Sequence, residues 1–332
     1  MNVKESLLDT LAAAGENYIS GAALAQQLGV SRNAVWKAVK SLESEGYAIE
    51  SVTSKGYRLA DSNNRLSEKL ILSFLTTDTL GRNLTVMDEV DSTNRAAKEL
   101  AASGAPHGTA VIADKQTMGR GRLGRNFVSP SGTGIYMSVV VRPELPVELT
   151  PMMTTAAAVA VSEAVEELSS HETRIKWVND VYMDGKKICG ILTEASLGLE
   201  TRSLDYAVIG IGINVRSVIG QFDDELSLIA TSIADCTGVS PDRNRLCAEV
   251  LNRLEALLSA IPERGFIEDY RRRELLTGNE ITAVLNGSPI NGKALGVDEN
   301  VNLIVQFPDG SVRHLGSGEA NLCRVSPDTA NI

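Results

Sequence analysis

The chain has 332 residues, 43% hydrophobic and 22% charged, enough for two or three globular domains with a sizeable core. Its formal charge of −10 excludes a polycation held on nucleic acid by net field, so any DNA contact must come from a local patch. No run approaches the roughly 18 apolar residues of a membrane span, and the first residues lack the apolar stretch of a signal peptide. A cytoplasmic protein without membrane contact is therefore expected.

The first unit is expected over residues 1–62. "VKESLLDTLAAAG" is amphipathic, with Leu7, Leu8 and Leu11 on one side and Gly15 at its end. "SGAALAQQLGVSRNAVWKAVKSLESEG" reads as helix, turn, helix. Ser20 and Ser31 stand as N-caps, Gly29 sits in the turn and Gly46 is the stop. Val35, Val39 and Leu42 face a core. Arg32, Asn33, Lys37, Lys40 and Ser41 are left outside, and suit phosphates and base edges. "YAIESVTSKGYRL" alternates around a Ser-Lys-Gly turn, a hairpin with Lys55 at its tip. Helix-turn-helix plus hairpin is the pattern of a winged DNA reader. Glu43, Glu45 and Glu50 offset its lysines, so one copy would bind weakly and a homodimer is expected to present two. "ADSNNR", Ala60 to Arg65, is taken as a linker.

Residues 66–272 form the second unit. Strand-like runs are "LTVMDEV", "GTAVIADKQ", "GIYMSVVVRP", "TRIKWVNDVYM", "KKICGILTEA" and "LDYAVIGIGINV". Helix-like runs are "STNRAAKELAA", "TPMMTTAAAVAVSEAVEELSS" with Thr150 as cap and Pro151 in the first turn, and "RNRLCAEVLNRLEALLSAI". Strands that follow one another through short turns favour an α+β fold with a mixed, largely antiparallel sheet over a doubly wound parallel one. Residues 275–326 alternate in short runs. Asn-Gly at 286–287 and 291–292 and Asp-Gly at 309–310 signal hairpins, and a small SH3-like β-barrel is expected.

"GRGRLGR", Gly119 to Arg125, has the G-x-G-x-x-G spacing of a dinucleotide-binding turn. That turn must open a helix and be followed by an acid about 20 residues on. Here Pro130, Gly132 and Gly134 intervene and a strand follows, so the dinucleotide reading fails. What is left is a glycine loop with Arg120, Arg122 and Arg125, able to wrap a phosphate or carboxylate with N–H groups and forked cations. The four cysteines and three histidines are scattered. They support neither a zinc site, nor a disulfide framework, nor a His-dependent triad, and no metal ligand is assigned.

"DSTN" (Asp91–Asn94), "KQTMGRGRLGRNFVSP" (Lys115–Pro130), "KWVNDVYMDGKKICGIL" (Lys176–Leu192) and "GIGINV" (Gly210–Val215) together resemble the biotin–protein ligases, in particular the bifunctional ligases that also repress the biotin operon. The resemblance implies a class II synthetase-like ligase domain, with biotin and ATP as substrates and Mg²⁺ as cofactor. Biotin's carboxylate would attack the α-phosphate of ATP to give biotinyl-5′-adenylate, and a lysine of the biotin carboxyl carrier protein would take the biotinyl group. The first unit would bind operator DNA as an adenylate-dependent homodimer.

Carried over by position, Ser92, Thr93, Asn94 and Gln116 resemble the set that reads the biotin ureido ring. Ser92 or Thr93 is also placed to cap the helix that follows. Arg120, Gly121 and Arg122 resemble the loop over the carboxyl and phosphate, and Arg125 a phosphate contact. Lys187 resembles the charge-stabilising lysine beside the α-phosphate, and Asp180 the acid that positions Lys187 or the metal. Gly190 falls in the same site segment, and Asn214 resembles a nucleotide-side residue. Arg122, Lys187 and Asp180 would form the catalytic set. Two positions depart from the family: Phe127 stands where it often has tryptophan, still able to stack on adenine, and Val178 where it has proline. Two other functions remain open at this stage: a non-catalytic ligand-sensing transcription factor, and a lipoate-type protein ligase.

Overall fold

Apolar residues three and four apart set the first three helices, α1 (Val3–Ala14), α2 (Gly21–Leu28) and α3 (Arg32–Ser44). The computed structural model describes residues 2–15, 17–60, 65–142, 146–197, 204–285, 288–316 and 318–323. Leu7, Leu8, Leu11, Leu24, Val35, Val39 and Leu42 close one core. The Ser20 and Ser31 hydroxyls accept from Ala23 N and Ala34 N at 3.1 Å each, so both expected caps are made. Gly29, at φ 65, turns the chain between α2 and α3. The hairpin β1 (Ile49–Val52) and β2 (Gly56–Leu59) follows. It is pinned to the helices by the Ile19–Tyr57 bridge. A Cβ on Gly56 would lie 2.1 Å from Ile19 O, so the residue after Lys55 must be glycine.

Of the expected linker, residues 61–64 lie outside the described residues, as does the expected boundary at 62. Beyond them Leu66 belongs to the central core and Leu70, four residues on, to the N-terminal core. The two units are thus stitched by α4 (Glu68–Phe74).

The middle of the chain runs β3 (Leu84–Met87), α5 (Thr93–Ala102), β4 (Ala110–Ala113), β5 (Gly134–Val141), α6 (Thr150–Ser169), β6 (Arg174–Lys176), β7 (Asp180–Met183), β8 (Lys186–Leu197), β9 (Leu204–Asn214), α7 (Asp224–Ile229), α8 (Ile233–Thr237), α9 (Arg243–Ser259) and α10 (Ile267–Arg273). Its sheet has the order β3-β4-β5-β9-β8-β7-β6. β3 and β4 are parallel and every other neighbouring pair is antiparallel, as the short connections implied. Alanine-rich α6 is buried along most of its length in the main core with α9, while Ala97 and Ala101 of α5 pack on the other face of the sheet with Val140 and Val208. Covered on both faces, β5 is buried at all eight positions. Two expectations are corrected here. Thr150 is the first residue of α6 and not its cap, because a short 3₁₀ turn over Val147–Leu149 runs straight into the helix. "TRIKWVNDVYM" is not one strand but the hairpin β6–β7.

The last strands, β10 (Glu280–Leu285), β11 (Ser288–Val297), β12 (Leu303–Gln306), β13 (Val312–Leu315) and β14 (Glu319–Leu322), form an antiparallel five-stranded sheet in the order β13-β12-β11-β10-β14. Asp309-Gly310 makes the expected turn, with Gly310 at φ 81. The 286–287 signal lies outside the described residues. Asn291-Gly292 is no turn: both residues sit inside β11. A Cβ on Gly292 would come within 2.7 Å of Val305 and 2.8 Å of Gln306 O, so this glycine marks close strand packing. The buried Trp177 indole N–H donates to Val301 O at 2.8 Å and ties this sheet to the central one.

Candidate active site

Three glycines make the floor of a cleft across β8 and β9. A Cβ on Gly210 would stand 1.9 Å from Asn94 Oδ1, one on Gly212 2.6 Å from the Phe127 ring, and one on Gly190 3.0 Å from Lys187 Nζ. The side chains of Asn94 and Phe127, from distant segments, and of Lys187, from β8 itself, lie against the bare backbone. The cleft has two adjoining compartments.

The inner one is walled by Ser92, Thr93, Asn94 and Gln116. Gln116 Oε1 accepts from Thr93 N (2.9 Å) and from the Thr93 hydroxyl (3.1 Å), and Gln116 Nε2 donates to Ser129 Oγ (2.9 Å). Asn94 Nδ2 donates to Leu192 O (3.2 Å) and Glu194 Oε2 (3.0 Å). Ser138 Oγ, fully buried, stands 2.8 Å from Thr93 Oγ1 and 2.6 Å from Asn94 Oδ1 and donates between them. Burial pushes the Glu194 carboxyl up, but hydrogen bonds from Lys98 and Asn94 outweigh it and hold the group below the usual carboxylate range. The capping expectation is corrected. Ser92 stands at the N-cap of α5 but makes no side-chain cap bond; the first amide of the helix, Thr93 N–H, donates to Gln116 from across the cleft.

Over this wall passes the loop Gly119–Arg125. A Cβ on Gly119 would lie 2.3 Å from Phe127 O and 2.8 Å from Ser129 Oγ, so the loop's base is pressed against its own return. Gly121 N donates to Arg125 O at 2.7 Å, and Leu123 (φ 55) with Gly124 (φ 74) turns the tip. Arg120 and Arg125 are exposed and Arg122 is half-buried. Arg122 donates to Asn179 Oδ1 (2.8 Å) and to Gly318 O (3.1 Å), so the C-terminal sheet holds one of the loop arginines.

The outer compartment, about 350 Å³, is lined by Arg122, Arg125, Phe127, Asp180, Lys187 and Asn214, by Leu226 and Ile229 of α7, and by Gly318 and Asn321 of the C-terminal sheet. Lys187 Nζ is 2.8 Å from Asp180 Oδ1. That oxygen is buried and has no aligned hydrogen bond, so the contact is an ion pair alone. Asn214 Nδ2 donates to Thr231 O (2.9 Å) and holds the segment after α7. Lys186 Nζ bonds Ser227 O (2.9 Å) and only tacks α7 down. Arg122 and Lys187 line both compartments. A ligand spanning the cleft would therefore place its middle against two cations, with polar hydrogen-bonding groups at one end and a roomier, partly apolar hollow at the other.

All the residues expected from the loop and its neighbours line one compartment or the other. Sequence reasoning missed Asn179, Ser138 and Glu194, which act on site residues, and the apolar contribution of α7. It also missed Arg243 of α9, fully buried, whose guanidinium bonds Asp114 Oδ1 and Gly134 O at 2.7 Å each and fixes the entry to β5. Asn179 could have been found, since it precedes Asp180 in a motif already singled out. Ser138 carries no signal in a run of valines.

On the N-terminal unit, Arg32, Asn33, Lys37, Lys40 and Lys55 are all exposed. Lys40 is shared with Glu43 at 2.6 Å, and Lys55 Nζ stands 5.5 Å over the Tyr18 ring. Ser41 is corrected: its hydroxyl turns to Glu45 (3.2 Å) and not to the outer face.

Residues 86–214 match the model of the biotin/lipoate A/B protein ligase family, and residues 4–58 match an HTH domain. The bifunctional ligase/repressor BirA of Bacillus subtilis (strain 168) is 40% identical over 93% of this chain and 95% of its own length. The protein of the same name from Escherichia coli (strain K12) is 28% identical over 95% and 96%. Among solved structures, the biotin protein ligase from Aquifex aeolicus in complex with biotin and ATP superposes with a TM-score of 0.62 at 32% identity, covering 73% of this chain and 99% of that one.

Proposed function

The chain belongs to the biotin/lipoate A/B protein ligase family, and on that premise we propose how its cleft makes and uses biotinyl-5′-adenylate. The protein is a biotin–protein ligase and a repressor. A biotin carboxylate oxygen bonds to the α-phosphorus of ATP as pyrophosphate leaves. The amine of a carrier-protein lysine then bonds to the acyl carbon, AMP departs with the electron pair, and the amine loses a proton.

The observation that carries this reading is the Lys187–Asp180 pair, 2.8 Å apart, at the junction of the two compartments. Thr93, Asn94 and Gln116 present hydroxyl and amide groups to the ureido ring, which offers two donors and one acceptor. Arg120, Gly121 and Arg122 lie over the carboxylate and Arg125 beside the phosphates. Phe127 and Asn214 serve the nucleotide end. Lys187, aimed by Asp180, stabilises charge that grows as the anhydride forms. The glycine loop keeps water from the adenylate.

ATP-dependent transfer also calls for Mg²⁺. Among the described residues no three His, Cys, Asp or Glu side chains cluster. Asp180, which lines the outer compartment, is the carboxylate that would hold this ion beside phosphate oxygens, in exchange for its ion pair with Lys187. When bound, Mg²⁺ offsets phosphate charge.

Two further points belong to the same reading. The N-terminal unit, residues 1–62, binds operator DNA through α3 and Lys55 as a homodimer favoured by the adenylate. The five strands β10 to β14 make the core of an SH3-like barrel beside the ligase domain; residues 324–326 of the expected unit lie outside the described residues. No described helix is long and apolar enough to cross a membrane. The test is direct: purified chain with biotin, ATP and Mg²⁺ should release pyrophosphate and biotinylate a carrier domain. A chain that binds biotin yet releases no pyrophosphate would leave only a sensor.

A further inference from the structure

Two tryptophans occur in the chain, and they live in opposite surroundings. Trp177 is 3% exposed and hydrogen-bonded. Trp36 is 50% exposed, with no ring contact or hydrogen bond among the described residues. It sits on α3, whose inward positions Val35, Ala38, Val39 and Leu42 fill the core. At the helical spacing of four, Arg32, Trp36 and Lys40 form one outward line and Asn33 and Lys37 the next. The indole therefore stands in the centre of the cationic face. Among the described residues neither Arg32 nor Lys37 has a carboxylate within ion-pair distance.

We infer that Trp36 reads thymine in the major groove, its ring packed on the 5-methyl group. This rests on the DNA-binding reading above and adds to it a residue that no charge argument supplies. Phosphates and polar base edges are served by Arg32, Asn33 and Lys37. The apolar feature in the groove is the thymine methyl, and the apolar group on this face is Trp36. The early turns of a recognition helix enter the groove, and Trp36 is the fifth residue of α3. A second copy of the chain is the competing occupant. It is disfavoured because α3 would set Arg32 and Lys37 of one copy against those of the other.

The experiment uses the full chain with biotin, ATP and Mg²⁺ and a random-sequence duplex library. The enriched duplex is then remade with deoxyuridine for each thymidine in turn, which removes one methyl group. The parent protein should lose affinity at one such position per half-site, and Trp36→Ala should bind the all-thymine duplex about ten-fold more weakly, the size of one base-edge contact. That variant should be indifferent to the same deoxyuridine, and Trp36→Phe should fall between. Because Trp36 is half exposed, Trp36→Ala should melt with the parent, so lost binding is not lost folding. The emission that disappears in Trp36→Phe should be the emission that DNA quenches. Unchanged affinity in Trp36→Ala overturns the inference and leaves the repressor reading standing. So does weaker binding with an unchanged deoxyuridine profile, which would place Trp36 between protein copies. If the parent enriches no sequence, the repressor reading itself falls, and the inference with it.

Discussion

The inner and outer compartments share Gly121, Arg122, Phe127, Asn179 and Lys187, and away from that seam they are built on opposite rules. In the inner one Thr93, Asn94, Gln116, Ser129, Ser138 and Glu194 are each bonded to a neighbour, on a floor of glycines that leaves no slack. In the outer one the central contact is an ion pair whose acidic oxygen has no aligned hydrogen bond. The walls there come from the glycine loop, β7, β8, α7 and the C-terminal sheet. A network whose members already hold one another in place is pre-organised to present its polar groups when the ligand arrives. A lone ion pair is ready to exchange one anion for another. The difference teaches that recognition and charge handling are divided between neighbouring spaces, and the division can be tested by breaking one side at a time.

The largest effect is expected from Lys187→Ala. Its amine faces the junction, so adenylate formation should slow by about 10²–10³-fold while the biotin Kd, read by calorimetry, stays put. Should the Kd worsen in step with the rate, Lys187 belongs to recognition and the division fails. Next comes Gly210→Ala, which strikes only the inner side. The new methyl would sit 1.9 Å from Asn94 Oδ1. Moving that amide breaks its bonds to Leu192, Glu194 and Ser138 and withdraws it from the ureido ring, leaving a buried polar group of the ligand unsatisfied at about 2–3 kcal/mol. Biotin should bind about 30- to 150-fold more weakly, equivalent to about 2–3 kcal/mol, with ATP binding unaltered. An equal loss for both ligands would mean that the floor serves the whole cleft.

How much of this was legible in the sequence differs between the regions in the same way. The winged unit was readable because its determinants are local: Ser20 and Ser31 cap within three residues, and Val35, Val39 and Leu42 repeat on one helix. The loop arginines, Asp180 and Lys187 were readable as motif residues, but their geometry was not. Asn94, expected to read the ligand, has both ends of its amide engaged by Leu192, Glu194 and Ser138; these bonds join residues 44, 98 and 100 positions apart, and no periodicity records them. Gln116 accepts from the first amide of α5 from 23 residues away, and the local cap signal at Ser92 carries no trace of it. Gly292 shows the opposite error, an Asn-Gly pair that local turn chemistry favours and strand packing overrides. α7 escaped notice because its six residues are too few to show a period.

The smallest effect falls on the one arginine common to both spaces. Arg122 is held at two points, Asn179 Oδ1 at 2.8 Å and Gly318 O at 3.1 Å. Removing one hydrogen bond from a charged donor costs about 1.5 kcal/mol, or about ten-fold. Asn179→Ala leaves Arg122 in place but tethered only to the C-terminal sheet. Its guanidinium should then lie over the inner compartment for less of the time, and the variant should release biotinyl-adenylate about ten-fold faster. Binding of biotin alone should change less: Asn179 lines the inner compartment, but its bonds go to Arg122 and Ile191 and not to Thr93, Asn94 or Gln116. Release rates followed by adenylate exchange, set beside the biotin Kd, decide the matter. Faster release with an intact Kd assigns Asn179 to positioning Arg122, whereas equal losses would trace the effect to its other bond, Nδ2 to Ile191 O at 2.9 Å, and so to the floor of the cleft.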